Sequence, residues 1–195
     1  MIKRYEKIIS ETYSNFLANQ ITEIDWRYLT NTAKPDPIVK EDNYSFYHLL
    51  LDKDSDINSK HCGLWKPLML ECMSRCGLPL TDYYIYRARL GLIVKTPKRV
   101  VHQPHVDWEM PESKGSYNIV YYVNESDGDT FVFGNTESSI WKKEETIRNE
   151  YKKNSLVCFD GDIWHCSSTP EHHDNRLVLN LNIFRGSFYS HNREA

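Results

Sequence analysis

The sequence predicts a mainly β fold, a jelly roll of two antiparallel sheets with flanking helices. Three observations favour this class. Short aromatic and β-branched segments recur in the second half of the chain, such as Tyr117–Asn124 and Leu156–Phe159. Turns of aspartate and glycine separate several of them, as at Asp127-Gly128-Asp129 and Asp160-Gly161-Asp162. Residues Arg176–Phe184 alternate between leucine or isoleucine and other residues, which is typical of a strand with two different faces.

Length and composition indicate an ordinary globular protein. The chain has 195 residues, and we expect one domain, 1–195, in which 1–82 support a core of 83–186. A net charge of −3 argues against a protein built mainly to hold nucleic acid. No apolar run approaches the ~20 residues that a membrane span needs. Five cysteines without dense spacing favour a reduced compartment, hence the cytoplasm, or the host cytoplasm for a viral protein.

The first part of the chain predicts two helices around one strand. Apolar residues from Ile2 to Leu17 fall at helical spacing, so we expect an amphipathic helix against the outside of a sheet. Tyr44–Leu51 is rich in aromatic residues and predicts a strand, and the polar segment Asp52–Lys60 predicts a loop. Leu64–Cys76 predicts a second helix that Gly77 ends. We interpret its two cysteines as small buried side chains and not as a metal pair.

From Tyr83 onward the pattern is that of short strands. The candidates are Tyr83–Leu90, Tyr117–Asn124, Thr130–Phe133, Leu156–Phe159, Trp164–Cys166 and Arg176–Phe184. In the last strand, one face carries only leucine and isoleucine and should pack in the core. The opposite face carries Arg176, Asn180 and Asn182, which is an unusual choice for a buried surface unless a polar partner lies against it.

A set of two imidazoles and one carboxylate predicts a metal site. His105 and Asp107 are two positions apart, so at the end of a strand their side chains point the same way. With His165 they form a ligand set that binds a divalent transition metal on one face and leaves the other open. Arg176, eleven positions after His165, suits a bidentate grip on a carboxylate. The other His-x-Asp source, at 172–174, lies in a polar loop and is interpreted as solvated.

The run His105-x-Asp107, then Gly128-Asp129-Thr130, then His165 followed by Arg176 resembles the Fe(II)- and 2-oxoglutarate-dependent dioxygenases. The resemblance covers about half of the chain. The chain is similar to the small single-domain oxygenases of the prolyl-hydroxylase-like branch, including those of marine phages and metagenomes. This resemblance implies a double-stranded β-helix, which is the cupin-like form of the jelly roll. Halogenating relatives replace the carboxylate ligand, so the presence of Asp107 favours hydroxylation.

The resemblance also implies roles for individual residues. His105, Asp107 and His165 would bind Fe(II), and Arg176 would pair with the distal carboxylate of 2-oxoglutarate. Further contacts to 2-oxoglutarate are expected from polar residues on the same face: Tyr122 through its hydroxyl, Asn118, Thr130 and Asn180. Packing in the core stays an alternative for the tyrosine and for the asparagines. The implied cofactors and co-substrates are Fe(II), 2-oxoglutarate and O2, and the family allows ascorbate.

The implied activity is hydroxylation of a C–H bond in a peptidyl substrate, such as proline, or in a small molecule, with release of succinate and CO2. One alternative is a catalytically silent jelly roll that binds metal as an interaction module. Another is an oxygenase of nucleic acids, which basic segments such as Lys95–Arg99, Lys142-Lys143 and Lys152-Lys153 would allow. Asn182 stands where repair demethylases of that kind carry a second arginine. We expect substrate specificity from the N-terminal segment and from loops 108–116 and 137–145.

Overall fold

The computed structural model describes residues 2–30, 44–53, 56–107, 115–134 and 146–186. These contain two α-helices, α1 (Glu11–Ala18) and α2 (Cys62–Cys76), and a short 3-10 helix at Asn19–Glu23. The strands are β1 (Ile2–Glu6), β2 (Arg27–Leu29), β3 (Ser45–Asp52), β4 (Asp56–Ile57), β5 (Tyr83–Val94), β6 (Tyr117–Tyr122), β7 (Thr130–Phe133), β8 (Thr146–Asn149), β9 (Ser155–Asp160), β10 (His165–Ser167) and β11 (Asn175–Arg185). In these described ranges, no helix has the length and hydropathy of a membrane span.

The strands form one large and one small antiparallel sheet. The large sheet has the order β1-β9-β6-β11-β5-β3-β2, with β4 paired to β3, and the small sheet has the order β10-β7-β8. The predicted mainly β jelly roll with flanking helices is therefore confirmed. The hairpin-like turn expected at 127–129 is wrong in one respect. Its flanking strands, β6 and β7, lie in different sheets, so the segment connects the two layers.

One face of the large sheet carries the helices. The leucine face of β11 is fully buried there, in a cluster that includes Leu17 of α1 and Leu68 and Met69 of α2. Each such side chain contributes about 1.5–3 kcal/mol by leaving water. The expected packing of this face in the core is confirmed, and the opposite face of β11 remains for the site.

The opposite face of the large sheet is only partly covered by the small sheet. Val120, Phe159 and Val178 of the large sheet pack with Val132 of β7 in a second buried cluster. Where this cluster ends, the space between the sheets opens into a cavity. The site described below lies in this cavity.

The N-terminal segment differs from the helical prediction. Ile2–Glu6 is the edge strand β1, which pairs along its whole length with β9. Lys7 then takes a left-handed conformation with φ of 52°, which ends the strand. Helix α1 begins after Ser10, whose side-chain oxygen accepts a hydrogen bond from the Tyr13 N–H. Apolar spacing alone did not distinguish the strand from the helix, because pairing with β9 satisfies the backbone of these five residues.

The other N-terminal predictions fare better. The strand expected at Tyr44–Leu51 and the helix expected at Leu64–Cys76 are both present. Gly77 ends α2 in a left-handed conformation with φ of 73°. All cysteine thiols of this helix are buried and free, as expected. The segment expected as a loop at Asp52–Lys60 contains the two-residue strand β4.

Candidate functional site

Two histidines from distant parts of the sequence meet at the open end of the cavity. The backbones of His105 and His165 exchange two hydrogen bonds, each 2.9 Å long. His165 is held in place because β10 pairs with β7. The two rings lie on the same side, with centroids 4.5 Å apart. The extended strand end expected around His105 is a single bridging residue, and this bridge sets the ring position.

Asp107 completes a three-residue cluster with these histidines. Its Oδ1 lies 3.6 Å from Nε2 of His105, and its Oδ2 lies 3.9 Å from Nε2 of His165. One ligand atom from each residue lies within 4.8 Å of the others. Within the described part of the chain, no other group of three potential ligands comes together in this way. Two imidazoles and one carboxylate at this separation match a facial metal site with open positions.

The imidazole orientations favour metal binding. Nδ1 of His105 lies 3.4 Å from the carbonyl oxygen of Gln103, and Nδ1 of His165 lies 3.3 Å from that of Ile163. A carbonyl only accepts a hydrogen bond, so the ring proton belongs on Nδ1. Each Nε2 then directs its lone pair toward the other ligands, which is the tautomer that a metal requires.

The environment keeps His165 neutral. Burial, together with the neighbouring His105, lowers the pKa of His165 to about 4, and the charge of Asp107 offsets this only in part. An imidazole with such a pKa is unprotonated at neutral pH. It can therefore donate its lone pair to a cation without first losing a proton.

Asp107 remains charged although only 11% of its side chain is exposed. Burial has the largest influence on the pKa of Asp107 and raises it, but His105, His165 and Arg87 together bring it well below its ordinary value. A hydrogen bond of 2.9 Å from Nδ2 of Asn182 also holds the carboxylate in position. Asn182 is oriented in turn by Arg87, whose Nε donates to its amide oxygen at 2.9 Å.

Arg176 lies inside the same cavity and is only 3% exposed. Its Nε donates to the carbonyl oxygen of Gly128 at 2.9 Å, and its Nη2 donates to the hydroxyl of Thr130 at 2.8 Å. The guanidinium carbon lies 5.7 Å from the ring centroid of Tyr151. Burial lowers the pKa of Arg176, and nearby tyrosines and Asp129 oppose this effect. The guanidinium is thus fixed in orientation, and no carboxylate of the described residues is in contact with it.

The support behind Arg176 comes from a buried carboxylate that we did not single out as a site residue. Asp129 is 2% exposed and accepts hydrogen bonds from Nε of Arg148 at 2.7 Å and from the N–H of Tyr151 at 3.0 Å. It immediately precedes Thr130 and therefore connects β7 to the segment that carries Tyr151. This carboxylate fixes two of the groups that surround the guanidinium.

The structure brings most of the expected site residues to one cavity. The cavity has a volume of about 560 Å³, counted out to its solvent-open mouth. Its lining includes all three candidate metal ligands together with Arg176, Thr130 and Asn180. Cys166, Val120 and Val178 add apolar surface between them.

Two expected residues lie on the same face without lining the cavity. Tyr122 is 2% exposed, and its ring packs against that of Tyr151 with centroids 4.4 Å apart and planes tilted by 32°. Its hydroxyl makes no hydrogen bond within the described residues, and burial raises its pKa. Asn118 accepts a hydrogen bond from Asn182 at 2.8 Å and so lies behind Asp107. Their roles toward 2-oxoglutarate stay predictions.

The sequence reading missed two arginines on this face. Arg87 and Arg89 lie on β5 opposite Asn182 and Asn180 of β11, and Arg89 lines the cavity. Two cations at alternate positions of an otherwise apolar strand were a signal for this, because such residues share one face.

The rival histidine motif has a structural explanation. Nδ1 of His173 lies 3.1 Å from Asp127, and the backbone N–H groups of Glu171, His172 and His173 also point at this carboxylate. His172 and His173 are exposed, as expected for a solvated loop. Some segments of the chain lie outside the described residues. They are 34–37, most of the predicted specificity loop 108–116, the second such loop at 137–145, and the basic pair 142–143 within it.

Comparisons with known proteins give a structural likeness only. No model of a known protein family matches the sequence, and no curated protein matches it. An oxidoreductase of the 2OG-Fe(II) oxygenase family from Burkholderia pseudomallei superposes with a TM-score of 0.69 at 10% identity, covering 95% of this chain and 86% of the other. A Pseudomonas putida prolyl-4-hydroxylase superposes with a TM-score of 0.57 at 14% identity, covering 95% and 93%.

A third solved structure carries ligands. The epimerase SnoN from nogalamycin biosynthesis, in complex with Fe3+, alpha ketoglutarate and nogalamycin RO, has a TM-score of 0.63 at 10% identity, covering 94% of this chain and 78% of the other. At such identities a likeness shows the fold. The chain therefore shares the mainly β jelly-roll fold of these three enzymes, and it has a His-Asp-His group in its own cavity.

Proposed function

We propose that the protein is an Fe(II)- and 2-oxoglutarate-dependent dioxygenase that hydroxylates a C–H bond and releases succinate and CO2. One observation carries this proposal. A cluster of two histidines and one aspartate shares a cavity with Arg176, a buried guanidinium that has no carboxylate in contact among the described residues. The likeness to solved oxygenases of this type supports it.

The residues present fit both groups. His105, Asp107 and His165 would hold Fe(II), since both Nε2 atoms and the carboxylate face one another and the imidazole tautomers are set by backbone carbonyls. Arg176 would bind the distal carboxylate of 2-oxoglutarate, with Thr130 beside it. Iron with 2-oxoglutarate and O2 supplies the oxidation, in which 2-oxoglutarate is decarboxylated to succinate and the substrate gains a hydroxyl group.

The chain itself contributes position, charge and exclusion of water. Asn182 holds the Asp107 carboxylate in one orientation, and Arg87 helps to keep it ionised. Val120 and Val178 give the cavity a dry wall between the ligand cluster and Arg176. A guanidinium in such surroundings binds a carboxylate more strongly than an exposed one does, because water competes less.

The substrate class in this proposal is a peptidyl residue, such as proline, or a small molecule. Within the family we take the prolyl-hydroxylase-like branch as the working assignment, in line with the resemblance of the sequence, and a P. putida prolyl-4-hydroxylase has the same fold. The spacing of eleven positions from His165 to Arg176 leaves the subfamily open. Free thiols at all five cysteines support the cytoplasm as the location.

The test compares 2-oxoglutarate turnover and binding in matched histidine variants. Iron-loaded wild type should release succinate from 2-oxoglutarate, and His165→Ala and Asp107→Ala should abolish this release. His172→Ala is the control, since this side chain is exposed and lies outside the cluster. Binding of 2-oxoglutarate to the Mn(II)-loaded protein, measured by calorimetry, gives a readout that needs no turnover.

The outcomes separate the proposed enzyme from a silent metal-binding module. Tight Zn(II) or Ni(II) binding without affinity for 2-oxoglutarate would identify the silent module. Succinate release that persists in H165A would show that the reaction does not depend on this cluster. Either result would overturn the proposal.

A further inference from the structure

Arg89 projects into the cavity from the strand beside β11. It pairs in register with Asn180 on one side and with Leu49 of β3 on the other. Directly opposed residues of antiparallel strands share a face, so Arg89 lies on the face of the candidate ligands and of Arg176. It lines the cavity together with Asp107.

Arg89 makes no hydrogen bond and no ion pair with the residues that the structure describes, and its Nε is buried. The Asp107 carboxylate acts on it electrostatically. However, that carboxylate is contacted directly by Arg87, His105 and His165. Among the described residues that line the cavity, Asp107 is the only carboxylate, and Arg89 and Arg176 are both cations.

The other two arginines on this face differ from Arg89 in this respect. Arg176 donates to Gly128 and Thr130, and Arg87 donates to Asn182. Arg89 is partly exposed to the cavity, and its Nε is buried without a hydrogen bond to the described residues. Leaving a buried donor of a charged group unpaired is costly, so a cation kept in such a place indicates an anion that arrives from outside. Burial lowers the pKa of Arg89, whereas Asp107 and Tyr47 oppose this effect and Arg87 adds to it.

The strand beside β5 brings one aromatic side chain to the face of Arg89. Tyr47 of β3 lies opposite Gly91 of β5, two positions along the strand from Arg89. Since residues two apart on a strand share a face, Tyr47 lies on the same face as the guanidinium. Phe46 lies opposite Leu92, and their side chains point to the helix side of the sheet.

We propose that Arg89 binds an anionic group of the substrate, a carboxylate or a phosphate. This inference rests on the proposed function, because it names the substrate class of the same site. The substrate is thus an acidic molecule or an acidic peptide residue. Arg89 sets specificity, and Arg176 remains the partner of 2-oxoglutarate.

A carboxylate near Arg89 could also belong to 2-oxoglutarate, so the experiment separates the two sources. The probes are phenylacetate and its neutral analogue phenylacetamide, which have the same shape. Their dissociation constants are measured by ligand-observed NMR on the Zn(II)-loaded protein, with and without saturating 2-oxoglutarate. The variants are Arg89→Met, Arg89→Lys and the control Arg75→Met, whose side chain is exposed on helix α2.

With 2-oxoglutarate bound, wild type and R75M should bind phenylacetate about tenfold or more tightly than phenylacetamide. In R89M this preference should disappear while the affinity for 2-oxoglutarate is unchanged. R89K keeps the charge but not the planar fork and should retain part of the preference, which keeps the test informative if R89M folds poorly.

Each contrary result overturns the inference in a recognisable way. Equal binding of both probes to wild type, or a preference that survives in R89M, would show that Arg89 does not receive an anion from the substrate. Loss of 2-oxoglutarate affinity in R89M would assign Arg89 to the co-substrate. Failure of the proposed function itself gives a different result, namely wild type that does not bind 2-oxoglutarate. The affinity for phenylacetate can then still be measured in the absence of 2-oxoglutarate.

Discussion

Replacing Arg176 with methionine should weaken 2-oxoglutarate binding more than it destabilises the fold. Methionine retains an unbranched side chain of similar length and removes the guanidinium. The structure shows this guanidinium at 3% exposure, with two donors already used on Gly128 and Thr130 and with the remaining surface facing the cavity. The carboxylate of a bound 2-oxoglutarate would then be buried without its counter-ion.

The magnitudes of the two effects can be worked separately. Truncating one partner of a buried, hydrogen-bonded charge pair costs about 2–5 kcal/mol, which corresponds to roughly 30-fold to 4,000-fold in Kd. For stability, Arg176→Met removes two charged hydrogen bonds, worth about 1.5–3 kcal/mol each, but it also relieves the burial of an unpaired charge. These terms oppose one another, so we expect a net destabilisation of about 1–3 kcal/mol.

Calorimetry of 2-oxoglutarate on the Mn(II)-loaded protein measures the first effect, and urea unfolding measures the second. Thr130→Val serves as the graded comparison, since it removes one acceptor of Arg176 and leaves the guanidinium. It should raise the Kd by less than R176M does. A Kd in R176M within about threefold of wild type, at normal metal affinity, would refute the assignment of Arg176 as the carboxylate partner.

Two further predictions concern the loop behind Arg176. Gly128→Ala should destabilise the protein by about 1–3 kcal/mol and raise the Kd for 2-oxoglutarate. The reason is that a Cβ at Gly128 would lie 2.7 Å from the Ser168 carbonyl oxygen and 2.8 Å from Cδ of Arg176. A variant with the urea midpoint and the calorimetric Kd of wild type would contradict this prediction. Asp127→Asn should remove a part of the stability that depends on pH. Burial raises the pKa of Asp127, but N–H groups of residues 171–173 outweigh this effect and hold the pKa well below its ordinary value. Since the folded pKa is lowered, this stability is present above pH ~4 and is lost as pH falls further, so urea midpoints of wild type and D127N should converge toward acid pH.

The sequence was sufficient to predict a feature where its residue types, in their pattern, have only one common structural or chemical use. The alternation of Leu177, Leu179, Leu181 and Ile183 could come only from a strand with a buried face, and the structure buries that face. His105, Asp107 and His165 could be grouped before any coordinates were known, since this ligand set at strand ends has few other uses. The structure brings these three residues together, as the sequence led us to expect.

The sequence was insufficient where a long-range pairing decides the outcome. Ile2–Glu6 carries apolar residues that suit either a helix or an edge strand, and its pairing with β9, some 150 positions away, selects the strand. The position of Arg89 could not be predicted for the same reason, since it depends on which residues of β11 and β3 lie opposite it. Register of this kind is set by the whole sheet and is not encoded in a local pattern.

The balance of charge in the cavity connects the two proposals. A divalent cation held by Asp107 would leave one positive charge, and 2-oxoglutarate with two carboxylates against Arg176 would leave one negative charge, so the metal and its co-substrate cancel. Arg89 then remains as a surplus cation among the described lining residues, with Arg87 close behind it. A neutral substrate would leave that charge buried beneath it, at a cost, whereas an acidic substrate would neutralise it on entry. The charge balance of the cavity therefore favours an acidic substrate when metal and 2-oxoglutarate are bound.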